Sequence, residues 1–441
     1  MTGIELIRAS LFHTPANPFR DARALVCHED GGLLIREGRI AASGDYVTLR
    51  AAHPEAATLD WRGGFVLPGF VDTHVHFPQM RIIGGLGRSL LDWLHQVALP
   101  EEARMADVAY ATSTAKAFLG ALASHGTTTA LVFGAHFAPA TSALFEAAEG
   151  SGLRVISGLV VSDRHLRPEL HQSPADAYRE STDLIRRFHR RGRLLYAVTP
   201  RFALSTSEAM LEVCQTLLAE HESLRVQSHI NENTSEVAEV ARAFPWAADY
   251  LAVYERYSLA GSQAVLAHNV HPSDAELDRL AATRTAIAHC PCSNAALGSG
   301  IFPLRRHLDA GVPCSLGTDV GGGTGFGMLK EGLQAYLMQR VAPDGMTLDA
   351  ARLCYLATLA GAEAVGLEDE IGDFRNGKAA DLVCLRPPAG SPLAAVLERV
   401  KSPEEALTAI FTLAGAESIH EVRVAGDPVY RASDQNRNVR A

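Results

Sequence analysis

The sequence predicts an α/β protein, a (β/α)8 barrel of the TIM type with a small β-sandwich built from both chain termini. Three observations predict it. Eight short apolar runs recur along the chain, Ala/Leu/Glu-rich helical stretches separate most of them, and the two ends lack that alternation.

The runs are Phe65–His76, Thr127–Phe133, Leu153–Val161, Leu194–Thr199, Leu224–His229, Ala264–His268, Thr285–His289 and Val312–Asp319. Nearly all are apolar without a break, as strands covered on both faces are. Helical patterns between them include Asp107–Ser124, Pro174–Arg190, Ser205–Glu220 and Asp274–Arg284. The ends carry short β segments with turn signals and little helix, such as GGLLIREGRIAASGD early and KAADLVCL and EVRVAGDPVY late. Residues 1–66 and 371–441 are therefore read as two parts of one β-sandwich, and 67–370 as the barrel. The stretch 77–126 is too long for a plain connection in such a barrel. It holds LLDWLHQVALP, a helix-like piece placed to cover the barrel mouth.

Composition narrows the function classes. Apolar residues make up 47% and charged residues 20% of the 441, enough to bury a large core without staples. The net charge of −10 disfavours nucleic acid and anionic membranes, which need clustered Lys and Arg. Seven cysteines fit a reducing compartment better than a disulfide framework. The start, MTGIELIRASLFHTP, has no apolar run of signal-peptide length, and nowhere do 18 apolar residues run together. A cytoplasmic protein with no nucleic-acid or membrane partner is the expectation.

In a barrel of this type the C-terminal ends of the strands form the active face, so the residue that tips each strand decides the chemistry. The first run ends in Asp72-Thr73-His74-Val75-His76. Side chains two apart on a strand point the same way, so His74 and His76 aim two imidazoles at one point. That pair suits a divalent metal such as zinc. The fifth run ends at His229, the sixth at His268 and the eighth at Asp319. Glu232 follows His229 by three residues, close enough to move a proton to or from a bound molecule. Arg201 and Phe202 follow the fourth run, and the Arg fork suits a carbonyl or ring nitrogen. Gln79, three past His76, offers both a donor and an acceptor. His13, His53, His171, His221, His307 and His420 are expected in solvent. Gly372–Ala379 nearly spells a phosphate-cradling loop, but it ends in Ala379 where Ser or Thr belongs, and it reads as a turn.

The segments PGFVDTHVHFPQ, TPRF, QSHINEN, the Ala-His pair at 267–268, AHCPCSN and GTDVGGG together resemble the amidohydrolase superfamily. Within it, HFPQ, TPRF and the HCPCSN…GSG stretch are most similar to guanine deaminases. The tail EIGDFRNGKAADLVCL resembles the family's return into its β domain. The resemblance implies one zinc per subunit held by His74, His76, His229 and Asp319, with iron(II) suited to the same donors. Binuclear relatives use a modified Lys on the fourth strand; Leu194–Arg201 has no Lys, which favours one ion. The implied reaction turns guanine and water into xanthine and ammonia. In it Asp319 takes a proton from water, His268 orients the attacking oxygen, and Glu232 protonates a ring nitrogen and helps the amine leave. Arg201 and the Phe202 backbone are implied to read the carbonyl side of the purine, Gln79 its other edge, and Trp93 to stack on the base. A homodimer is implied as well. Cys292, next to the implied pocket, stands where relatives often carry Asn or Thr. A deaminase of another purine, a pterin or an s-triazine-type ring, and a non-catalytic barrel scaffold, are the alternative readings.

Overall fold

The computed structural model describes residues 3–432, so residues 1–2 and 433–441 of the two end segments lie outside it. The N-terminal part contributes β1 (Ile4–His13), β2 (Val26–Arg36), β3 (Arg39–Asp45) and β4 (Ala57–Pro68). The barrel follows with β5 (Phe70–His76), β6 (Thr127–Phe133), β7 (Arg154–Gly158), the short β8 (Val160–Val161), β9 (Leu194–Pro200), β10 (Arg225–Ile230), β11 (Ala264–His268), β12 (Ala286–His289) and β13 (Cys314–Leu316). The C-terminal part adds β14 (Leu382–Leu385), β15 (Ile419–Val424) and β16 (Asp427–Arg431).

The barrel strands run parallel in the order β5-β6-β7-β9-β10-β11-β12-β13, with β8 pairing along β9. Every residue of β5 and β6 is buried, which explains their unbroken apolar runs. The ring closes through the chain just past β13. Asp319 N–H donates to His74 O at 2.8 Å, and His76 N–H donates to Val320 O at 3.0 Å. Gly317 permits this approach, because a Cβ there would stand 2.7 Å from the His74 Cβ.

The outer helices show why sequence pattern becomes structure. Helix Pro174–Phe188 buries Ala177, Ser181, Leu184, Ile185 and Phe188, one stripe at helical spacing. Ser173 caps it by accepting from Asp176 N, and Pro174 starts it where no amide partner is needed. Removing that cap by Ser173→Ala costs about 1 kcal/mol.

The second sheet runs β16-β15-β14-β4-β1-β2-β3, so β14 beside β4 joins the two ends of the chain. All its pairings are antiparallel except β1 with β4. The sheet rolls back on itself: Arg39 bridges Ala379, and Ile40 N–H donates to Lys378 O at 2.8 Å. Ile7, Leu33, Ile35, Val66, Phe374 and Leu382 fill the roll.

Three features differ from the sequence expectation. The run Phe65–His76 is two strands, with Phe65–Pro68 ending β4 and Phe70–His76 opening the barrel. Both halves are buried, so apolar character alone hides the turn at Gly69. The C-terminal part also carries helices, Pro392–Leu397 and Pro403–Leu413. The second buries Leu407, Ile410 and Phe411 in the barrel's own core cluster, with Phe411 against Gly332. Finally, His13 and His307 are buried, not in solvent. Phe374 N–H donates to His13 Nδ1 at 3.2 Å, and His307 takes a 2.9 Å bond from Asn269 Nδ2. Paired imidazoles tolerate burial in the neutral form. Among the described residues no helix is long and apolar enough to cross a membrane.

Candidate active site

The four residues implied as metal ligands meet at the C-terminal mouth of the barrel. His76 Nε2 lies 3.2 Å from His74 Nε2 and 3.3 Å from His229 Nε2. Asp319 Oδ1 lies 3.3 Å from both His74 Nε2 and His76 Nε2. Nitrogen ligands about 2.0–2.1 Å from a tetrahedral zinc stand about 3.3–3.4 Å apart, so the spacing fits a single small divalent cation. The ring proton of His229 is committed, because Nδ1 donates to Arg201 O at 2.6 Å. Its Nε2 therefore offers a lone pair, the form a metal ligand needs. Burial pushes the His74 imidazole down to about 3 and His229 well below its usual range, so both are neutral. Burial works to raise the Asp319 carboxyl, but His74 and His76 hold it well below the carboxylate range. Two triads that share His74, one with His76 and Asp319 and one with His229 and His268, offer the facing atoms that a cation would satisfy. His268 also borders the site, within one cluster with His74 and His229.

The strands aim these groups, and buried polar side chains lock them. Asp72 accepts from His74 N at 3.2 Å, Thr318 N at 3.0 Å and Thr318 Oγ1 at 2.5 Å, tying β5 to the segment that carries Asp319. Asp319 (φ +47°), His268 (φ +74°) and Asn231 (φ +47°) adopt left-handed backbone conformations. Such strain in non-glycine residues persists where surrounding structure enforces it, as it does at functional sites.

Glu232 sits in the loop after β10, just before helix Thr234–Ala243. Asn233 and Glu236 form that helix's capping box, and Glu236 Oε2 also accepts from Glu232 N at 3.1 Å. The Glu232 carboxyl is thereby aimed at His268 Nε2, 3.5 Å away, while Ser299 Oγ donates to its other oxygen at 3.1 Å. Burial, then the Asp319 carboxylate, pushes Glu232 up to about 8, so it is protonated at neutral pH. His268 Nδ1 donates to Asn294 Oδ1 at 2.9 Å, which orients the ring.

Beside these groups lies a pocket. Gln79, Arg201, Phe202, Glu232, His268 and Asp319 line it, with Leu90, Trp93 and Leu94 from the 77–126 insertion. The insertion thus covers the mouth and brings Trp93 to the wall. All nine predicted site residues lie together at this end of the barrel. Cys292 is buried just outside, its N–H donating to Glu331 Oε2 at 3.1 Å.

Sequence reading missed Glu102, Ser299, Asn294 and Asp72. Glu102 accepts from Gln79 Nε2 at 2.7 Å, Arg201 Nη2 at 2.8 Å and His136 Nε2 at 3.1 Å. Its one sequence signal is an acidic pair directly after an apolar helical run, a place where solvent is the ordinary expectation.

Comparison with known proteins shows the family. Residues 65–429 match the amidohydrolase family, and residues 31–56 match an imidazolonepropionase-like composite domain of bacteria. A protein described as a probable guanine deaminase from Deinococcus radiodurans is 55% identical, over 97% of this chain and 99% of that one. The structure of E. coli guanine deaminase superposes with a TM-score of 0.92 at 38% identity, covering 97% of this chain and 99% of the other. The structure of guanine deaminase from C. acetobutylicum with bound guanine in its active site has a TM-score of 0.90 at 25% identity, covering 97% and 100%. The chain is a member of the amidohydrolase family.

Proposed function

We propose that this protein is a guanine deaminase that hydrolyses guanine to xanthine and ammonia. The observation that carries the reading is the meeting of a His74/His76/His229/Asp319 cluster with the buried Glu232 at one pocket. The 55% identity to a probable guanine deaminase, and the guanine-bound neighbour, support the substrate.

Zinc, one ion per subunit on those four residues, is the cofactor we infer; it supplies a water acidified to a pKa of about 7. The protein's own groups do the rest. Glu232 gives its proton to a ring nitrogen, which makes the amino-bearing carbon electrophilic. Asp319 accepts a proton from the attacking water, and His268 orients that water and stabilises charge on the oxygen. Glu232, left as a carboxylate, then takes the proton of the added hydroxyl as the new carbonyl forms and passes it to the departing amine. The amine leaves as ammonia, and the proton on Asp319 returns Glu232 to its acid form. Arg201 and the Phe202 backbone hold the carbonyl side, Gln79 the opposite edge, and Trp93 packs on the ring. Metal analysis of purified protein, with zinc and iron measured separately, tests the cofactor.

We also infer a cytoplasmic homodimer. All seven cysteines are free thiols, as a reducing compartment keeps them. Leu337, Val396 and Leu413 expose apolar side chains on neighbouring grooves that share Glu404, Thr408 and Thr412. Sedimentation of the purified protein tests the dimer. The substrate assignment is tested by a panel of guanine, other purines, pterins and s-triazines with ammonia detection; guanine is expected to be preferred.

A further inference from the structure

Glu102 is buried, and both of its oxygens are fully engaged. Oε1 accepts from Gln79 Nε2 at 2.7 Å and Arg201 Nη2 at 2.8 Å. Oε2 accepts from His136 Nε2 at 3.1 Å and Arg201 Nε at 3.3 Å. Gln79 and Arg201 come from different parts of the barrel rim, one after β5 and the other after β9. Glu102 comes from neither, but from helix Leu99–Ala103 of the covering insertion. The same insertion supplies Leu90, Trp93 and Leu94 to the pocket.

We propose that Glu102 is the positioning residue that sets ring specificity: from the covering insertion it fixes the Arg201 guanidinium and the Gln79 amide in the one orientation that reads an oxopurine. The geometry states how. With Nε and Nη2 engaged by Glu102, Arg201 keeps Nη1 as a donor that Glu102 does not take, suited to a carbonyl oxygen or an unprotonated ring nitrogen. Gln79 is held the same way. Its nitrogen is committed to Glu102 and its oxygen accepts from Gly321 N at 3.1 Å, so the amide cannot turn over. Burial alone would raise the Glu102 carboxyl, but Arg201 and His136 hold it well below the usual range, so it stays charged. The residue that aligns the readers of the ring thus belongs to the segment that covers the pocket.

This inference rests on the guanine-deaminase reading, and the test keeps the two apart. The zinc-loaded wild type and E102Q are compared on guanine and on 2-aminopurine, which lacks the ring carbonyl. E102Q keeps the shape but presents an NH2 group to donors on both neighbours. Its KM for guanine is expected to rise by about tenfold or more, with a smaller change in kcat. The guanine to 2-aminopurine ratio in kcat/KM is expected to fall by about tenfold or more. A merely structural role would lower both substrates alike and leave the ratio unmoved. Should E102Q fail to fold, H136Q loosens Oε2 without removing the charge and is expected to shift the ratio in the same direction by about threefold. A wild type inert toward guanine overturns the functional reading and this inference with it. An active wild type whose folded variant keeps its guanine preference within about twofold overturns this inference alone.

Discussion

Glu232 Oε2 faces His268 Nε2 across 3.5 Å, and the other Glu232 oxygen is held by Ser299 Oγ at 3.1 Å. A carboxyl held on one side and open toward the reacting centre on the other is built to move a proton. Replacement by Gln keeps the shape and removes the exchangeable acid. E232Q is expected to retain its metal and lose about 10²–10⁴-fold in kcat. Steady-state kinetics with metal analysis checks this, and an unchanged rate removes Glu232 from the mechanism.

Ser299 stabilises the charged form of Glu232, working against the burial that pushes it up to about 8. The acid form is needed, so activity is expected to fall on the alkaline side as Glu232 loses its proton. Ser299→Ala takes away a hydrogen bond that favours the carboxylate, so the alkaline limb moves to higher pH. A pH–rate profile of both proteins measures the shift; a limb that stays put, or moves down, contradicts the assignment.

Much of this was legible in the chain. Strand-tip residues two apart, His74 and His76, announce a shared direction, and β-branched runs buried on both faces announce the barrel. What stayed hidden depends on long-range partners. Glu102 looks like a solvated acid until Arg201, 99 positions away, comes to meet it. His307 looks like a surface imidazole until Asn269 and Phe302 close over it, the ring centroids of His307 and Phe302 lying 4.3 Å apart. The break at Gly69 is hidden because two different sheets bury the residues on either side. The helix Pro403–Leu413 did carry a local signal, Ser402 followed by Pro and two Glu, which the β character of its surroundings outweighed.

Arg201 and Glu102 form a buried ion pair, and breaking one side of such a pair costs about 3–5 kcal/mol. Lys cannot reproduce the fork that engages Glu102 through two nitrogens and keeps a third for another acceptor. R201K is expected to lose about 10²-fold or more in kcat/KM for guanine. Adenine, which lacks the carbonyl, is expected to be a poor substrate of the wild type. Adenine turnover comparable to that of guanine shows that Arg201 does not read the ring.

Burial pushes His13 and His307 down to about 4. In the unfolded chain they titrate near 6.5. Between those values the unfolded chain binds more protons, so their contribution to stability is present above about 6.5 and is lost as pH falls toward 4. The Tm is expected to drop across that window, and H307N, though less stable at pH 7, is expected to drop less steeply. Parallel Tm curves for the two proteins contradict this account of His307.

The most direct measurement is the reaction itself: zinc-loaded protein with guanine, followed for xanthine and ammonia, before and after treatment with a chelator. The account predicts equal amounts of both products, loss of activity on chelation and its return with added zinc. Guanine left unchanged, or deamination that survives complete removal of the metal, contradicts it.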